Sequence, residues 1–66
     1  MKYQYNIGDL VLIEGIECEI LEREIDDNKP DYLCLPLDKT QKILGQSEVG
    51  FAGWVREVYI ELKIGV

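Results

Sequence analysis

Six acidic residues crowd one short stretch of this chain: Glu17, Glu19, Glu22, Glu24, Asp26 and Asp27. On a strand, Glu17 and Glu19 share a face with their side chains ~7 Å apart. Paired carboxylates can do general acid–base chemistry, but only in an enclosed pocket that drives their two pKa values apart. A chain of 66 residues has little interior from which to build one. Nucleophilic chemistry is as poorly supplied. There is one serine, one threonine and no histidine, so no Ser–His or Cys–His pair can form within a subunit. Two cysteines without histidine fall short of the four ligands of a structural zinc site. No catalytic residue, metal or cofactor is therefore expected. The acidic stripe reads as a docking face for a basic partner, as a mimic of phosphates, or as a solvated face that blunts a strand edge.

The aromatic residues Tyr3, Tyr5, Tyr32, Phe51, Trp54 and Tyr59 are the other group that could do work. Tyr and Trp combine large contact area with a hydrogen-bonding group at low entropic cost, which is why they dominate binding hot spots. The candidate binding residues are Tyr32, Phe51, Trp54 and Tyr59, gathered at one loop end, with Glu17 and Glu19 as a steering surface. Arg56, with Lys39 and Lys42, is the candidate contact for an anionic ligand. Trp54 suits either a core position or this surface. Cys18 and Cys34 fall on strands expected to pair, near enough for a disulfide. In a reducing compartment they serve instead as small buried apolar side chains.

Composition bounds the rest. One domain spanning residues 1–66 is the most the chain can hold, and it buries only ~60% of its unfolded surface. Self-association would supplement so small a core. A net charge of −6 and scattered basic residues disfavour nucleic acid and an anionic membrane surface. The start, Met1-Lys2-Tyr3-Gln4-Tyr5, lacks the apolar core of an export signal, and no apolar run nears the ~20 residues of a membrane span. The expected location is the cytoplasm.

The elements that must position these residues are strands. Gly8-Asp9 turns into a strand within residues 7–14. Ile16, Cys18 and Ile20 alternate with Glu17 and Glu19, the period-two pattern of a half-buried strand. The phase then slips, with Leu21, Arg23 and Ile25 opposed to Glu22 and Glu24, which predicts a β-bulge inside residues 16–25. Residues 26–30 are a turn, 31–37 a third strand, 51–55 a fourth and 60–64 a fifth, with a short 3₁₀ turn over 56–59. Residues 38–50 are an insertion, with 38–45 either one helical turn or loop. The expected core is Leu10, Leu12, Ile16, Cys18, Ile20, Leu33, Leu35, Val55, Ile60 and Leu62.

This order, with Gly8-Asp9 before the first strand and Gly53-Trp54-Val55 before a 3₁₀ turn and closing strand, resembles the Src-homology-3-like barrels, including their bacterial, KOW and Tudor-type relatives. The resemblance covers most of residues 5–64, and the insertion at 38–50 departs from it. It implies an all-β, five-stranded barrel and a peptide or ligand groove lined by aromatics near the loops. The expected function is a non-enzymatic module that docks a protein partner and self-associates, of the kind of the small acidic inhibitor or accessory proteins of phages and mobile elements. The alternative is an oligomer that binds an anionic ligand such as a nucleotide at its subunit interface.

Overall fold

The computed structural model describes residues 2–65. The strands are β1 (Leu10–Ile13), β2 (Ile16–Asp26), β3 (Lys29–Pro36), β4 (Gly53–Arg56) and β5 (Leu62–Ile64), with a 3₁₀ turn at Glu57–Tyr59. They form one antiparallel sheet in the order β4-β3-β2-β1-β5. The all-β, five-stranded expectation holds. The sheet is not closed into a barrel, because its edge strands β4 and β5 are not paired with each other.

Two tight hairpins organise the sheet. Glu14 and Gly15 join β1 to β2 with φ of 51° and 78°, and Asp27 and Asn28 join β2 to β3 with φ of 53° and 61°. Successive left-handed residues are what a type I′ hairpin turn requires, and its twist matches that of the strands it joins. Before β1, the Asn6 amide donates to the Asp9 carboxylate at 2.9 Å, and the Gly8 amide reaches the Ile20 carbonyl at 2.7 Å. Gly8 is at φ 94°, which favours glycine there.

The bulge is present. Ile20 pairs with Cys34 but Glu22 pairs with Leu33, so Leu21 is the extra residue in β2. Its effect is on phase. Glu17 and Glu19 face away from the core before it, and Glu22 and Glu24 stay on that outer face after it.

The buried core is Tyr5, Val11, Ile13, Cys18, Ile20, Tyr32, Cys34, Ile43, Val55 and Ile60. Cys18, Ile20, Val55 and Ile60 are where the alternation places them. Leu10, Leu12, Leu33, Leu35 and Leu62 are not buried; they lie on the outer face, and Ile16 is only partly buried. Cross-strand partners share a face, and Leu10 and Leu12 pair with Glu19 and Glu17, Leu35 with Glu19, Leu33 with Glu22, and Leu62 with Leu12. The glutamates select the outer face for these leucines. Because β1 and β3 are apolar at both parities, their own alternation carries no phase.

Residues 38–50 contain no helix; they form a loop. Asp38 shapes its start by accepting from the Thr40 amide at 2.9 Å and the Thr40 hydroxyl at 2.7 Å. Ile43, only 2% exposed, drops from this loop into the core. Tyr5, Ile43 and Ile60 thus come from outside the strands and cover the inner face of the sheet.

Candidate functional site

Tyr32 is not a surface residue. It lies fully buried on the inner face of β3. Tyr3 and Tyr5 pack edge-on against its ring, with centroids at 6.1 and 5.6 Å. Its hydroxyl accepts from the Gln4 and Tyr5 amides at 3.1 and 3.2 Å and donates to the Glu57 carboxylate. Glu57 also accepts from the Gln4 amide at 3.0 Å. Burial, reinforced by the hydrogen bond to Glu57, pushes the Tyr32 phenol up to about 12. Arg23, one of the scattered basic residues, completes the arrangement. Its guanidinium sits 4.3 Å from the Tyr3 ring centroid and donates to the Tyr5 carbonyl and Asn6 Oδ1, both at 2.9 Å. The phase slip in β2 was the sequence signal for this, since it turns Arg23 toward the core side. The role of Glu57 had no signal, because 25 residues separate it from Tyr32.

The remaining predicted aromatics do not gather. Phe51 precedes β4 and Tyr59 follows it, so the whole strand lies between them. Phe51 is 58% exposed beside a hollow of about 240 Å³ shared with Gln46, Ser47, Glu48 and Ala52. Trp54 is 47% exposed and paired with Leu33 on the outer face, so it does not cover the core. Glu17 and Glu19 lie on that same face. Trp54, Glu17 and Glu19 therefore share one surface, while Phe51 and Tyr59 belong to two others.

Tyr59 belongs to the 3₁₀ turn, which buries no side chain. Tyr59 is half exposed and Val58 is 82% exposed. Beside Val58 lies a cleft of about 360 Å³, lined also by Lys29, Pro30, Arg56 and Glu57. Arg56 does not offer its charge to this cleft. It donates to the Asp26 carbonyl at 2.8 Å, pairs with the Asp26 carboxylate at 3.2 Å and lies 3.3 Å from Asp31 Oδ1. That last contact is a charge pair without hydrogen-bond geometry: the buried Asp31 Oδ1 has no hydrogen-bond partner. The pairing also explains how an aspartate sits buried in β3. The other two basic candidates stand apart, with Lys39 donating to the Pro36 carbonyl at 3.3 Å and Lys42 exposed.

Cys18 and Cys34 are free thiols buried on the inner face, diagonal to each other across β2 and β3, with Cys18 opposite Pro36 and Cys34 opposite Ile20. Burial pushes Cys18 up to about 11, and burial with its neighbour's charge pushes Cys34 up to about 12. Such thiols are packing groups rather than nucleophiles at neutral pH. Among the described residues, no three His, Cys, Asp or Glu side chains converge on a metal-sized site, and no helix is long and apolar enough to cross a membrane. The chain matches no protein-family model, and comparison with curated proteins and with solved structures finds no match.

Proposed function

We propose that this chain is a non-enzymatic binding module of Src-homology-3-like type that docks a protein partner at the loop end formed by the 3₁₀ turn and the β2–β3 hairpin. The observation that carries this reading is the exposure of Val58 at the cleft it lines with Pro30 and Arg56, and of Tyr59 next to it in the turn. A three-residue turn that buries none of its side chains, yet carries an aliphatic and an aromatic one, presents them to something other than its own core. Asp26 and Asp31 pair with Arg56 at the rim of the cleft. A small acidic accessory or inhibitor protein acting in the cytoplasm fits this reading, and the free thiols suit that compartment.

The anionic-ligand alternative draws less support, because two of its three basic contacts are already engaged within the subunit. Affinity capture with the native chain and with Val58→Ser/Tyr59→Ala tests the preferred reading. The native chain retains a specific protein that the variant loses. Identical capture by both chains, or a thermal shift with nucleotides that Arg56→Ala abolishes, would overturn it.

A further inference from the structure

We propose that the outer face of the sheet is a second docking surface, for a segment of another protein that alternates lysine or arginine with large apolar side chains. This goes beyond the cleft at the 3₁₀ turn and does not rest on it.

The surface is built by β2, the central strand. The bulge at Leu21 holds Glu17, Glu19, Glu22 and Glu24 in one outward row, when an unbroken strand would send the last two into the core. None of the four carboxylates has an ion-pair or hydrogen-bond partner among the described residues. Arg56 is held by Asp26 and Asp31, Lys63 by Asp9 and Arg23 by the N-terminal segment, while Lys29 stands beyond the end of the row, opposite Asp26. Apolar margins flank the row. Leu33 and Trp54 lie on the β3–β4 side, and Leu10 and Leu62 on the β1–β5 side. Trp54, Leu62 and Leu10 are 47, 48 and 38% exposed. The start of the 38–50 loop borders the row at its Glu17 end, where Leu37, Asp38 and Gln41 line a hollow of about 350 Å³ with Glu17 and Gly15, whereas Tyr5, Ile43 and Ile60 cover the other face.

The charge row selects the occupant. A neutral apolar segment would strip water from four carboxylates and give nothing back. A second copy of this chain, packed about a two-fold axis, would set glutamates of one copy against glutamates of the other. Nucleic acid carries the same sign. A segment with cations over the row and apolar side chains over the margins satisfies both parts of the surface.

Trp54 is the only tryptophan in the chain and lies on this face, so its emission reports occupancy. The test is a titration of the full chain with a lysine–leucine alternating peptide of about ten residues, its glutamate–leucine counterpart serving as control. The lysine peptide shifts Trp54 emission and the glutamate peptide does not. Its affinity falls about tenfold or more in Glu17→Gln/Glu19→Gln/Glu22→Gln/Glu24→Gln, and also between about 0.05 and about 0.5 M salt. Val58→Ala/Tyr59→Ala leaves it unchanged. Should the fourfold variant not fold, Glu17→Gln/Glu22→Gln carries the test with a loss of about threefold. Equal affinity for both peptides, no loss in the glutamine variants, no change in Trp54 emission, or a neutral-pH dimer that buries Trp54 would each overturn the proposal. A loss confined to Val58→Ala/Tyr59→Ala would leave the cleft reading standing and remove this one.

Discussion

The hydroxyl of Tyr32, on β3, donates a hydrogen bond to the carboxylate of Glu57 in the 3₁₀ turn. The same phenolic oxygen accepts the amides of Gln4 and Tyr5. One buried atom thus ties the N-terminal segment, the sheet and the 3₁₀ turn together. It also ties the 3₁₀ turn to a core residue.

Tyr32→Phe removes that atom and keeps the ring. It leaves the Tyr5 amide without its partner and Glu57 with only the Gln4 amide, so a loss of about 1–3 kcal/mol is expected. Thermal denaturation measures it, with Tyr59→Phe, on an exposed side chain, as the control. An unchanged melting temperature would show that the network contributes nothing net.

Stability should fall in alkali. Tyr32, Cys18 and Cys34 all hold their protons more tightly when folded, with pKa values raised from 10.0 to about 12, from 9.0 to about 11 and from 9.0 to about 12. Groups with raised folded values contribute stability that is complete below their unfolded pKa and is lost as pH rises through the folded one. The decline therefore begins near pH 9 and continues to about 12. Cys18→Ala/Cys34→Ala delays its onset to near 10, where Tyr32 takes over. Denaturant midpoints across this range decide the matter, and a flat profile would contradict it.

The loop residue Ile43 should matter more than the outer leucines. Ile43→Ala opens a cavity beneath the sheet and costs about 2–5 kcal/mol. Leu62→Ala, at a half-exposed position, should cost under about 1 kcal/mol. Urea denaturation of the two variants gives the comparison, and equal losses would mean the inner and outer faces have been confused.

Glu14 holds a left-handed conformation at φ 51° in the first hairpin turn. Such a conformation costs a side chain with a Cβ about 1–2 kcal/mol, and asparagine tolerates it best after glycine. Glu14→Asn is expected to stabilise the chain by about 0.5–1 kcal/mol. A lower melting temperature would show instead that the Glu14 side chain makes a favourable contact.

By itself the sequence determined the all-β class, the number of strands, the turn between β2 and β3, the bulge in β2 and the 3₁₀ turn. These rest on local chemistry: alternation at Glu17–Ile20, the phase slip at Leu21, and the backbone preferences of Asp27 and Asn28. The buried face of β1, β3 and β5 was decided only by the tertiary structure. β1 and β3 are apolar at both parities, and only pairing with the glutamates of β2 breaks the tie; β5 takes its face from β1, with Leu62 opposite Leu12 and Lys63 opposite Val11. The same register carried Tyr32 inward and Trp54 outward, which dispersed the expected aromatic cluster. Arg56 and Glu57 found their partners 30 and 25 residues away in the chain, so their engagement follows from strand order rather than spacing. The open sheet has that origin too. Whether β4 and β5 pair depends on how far the sheet curls, and no short stretch of chain encodes that curvature.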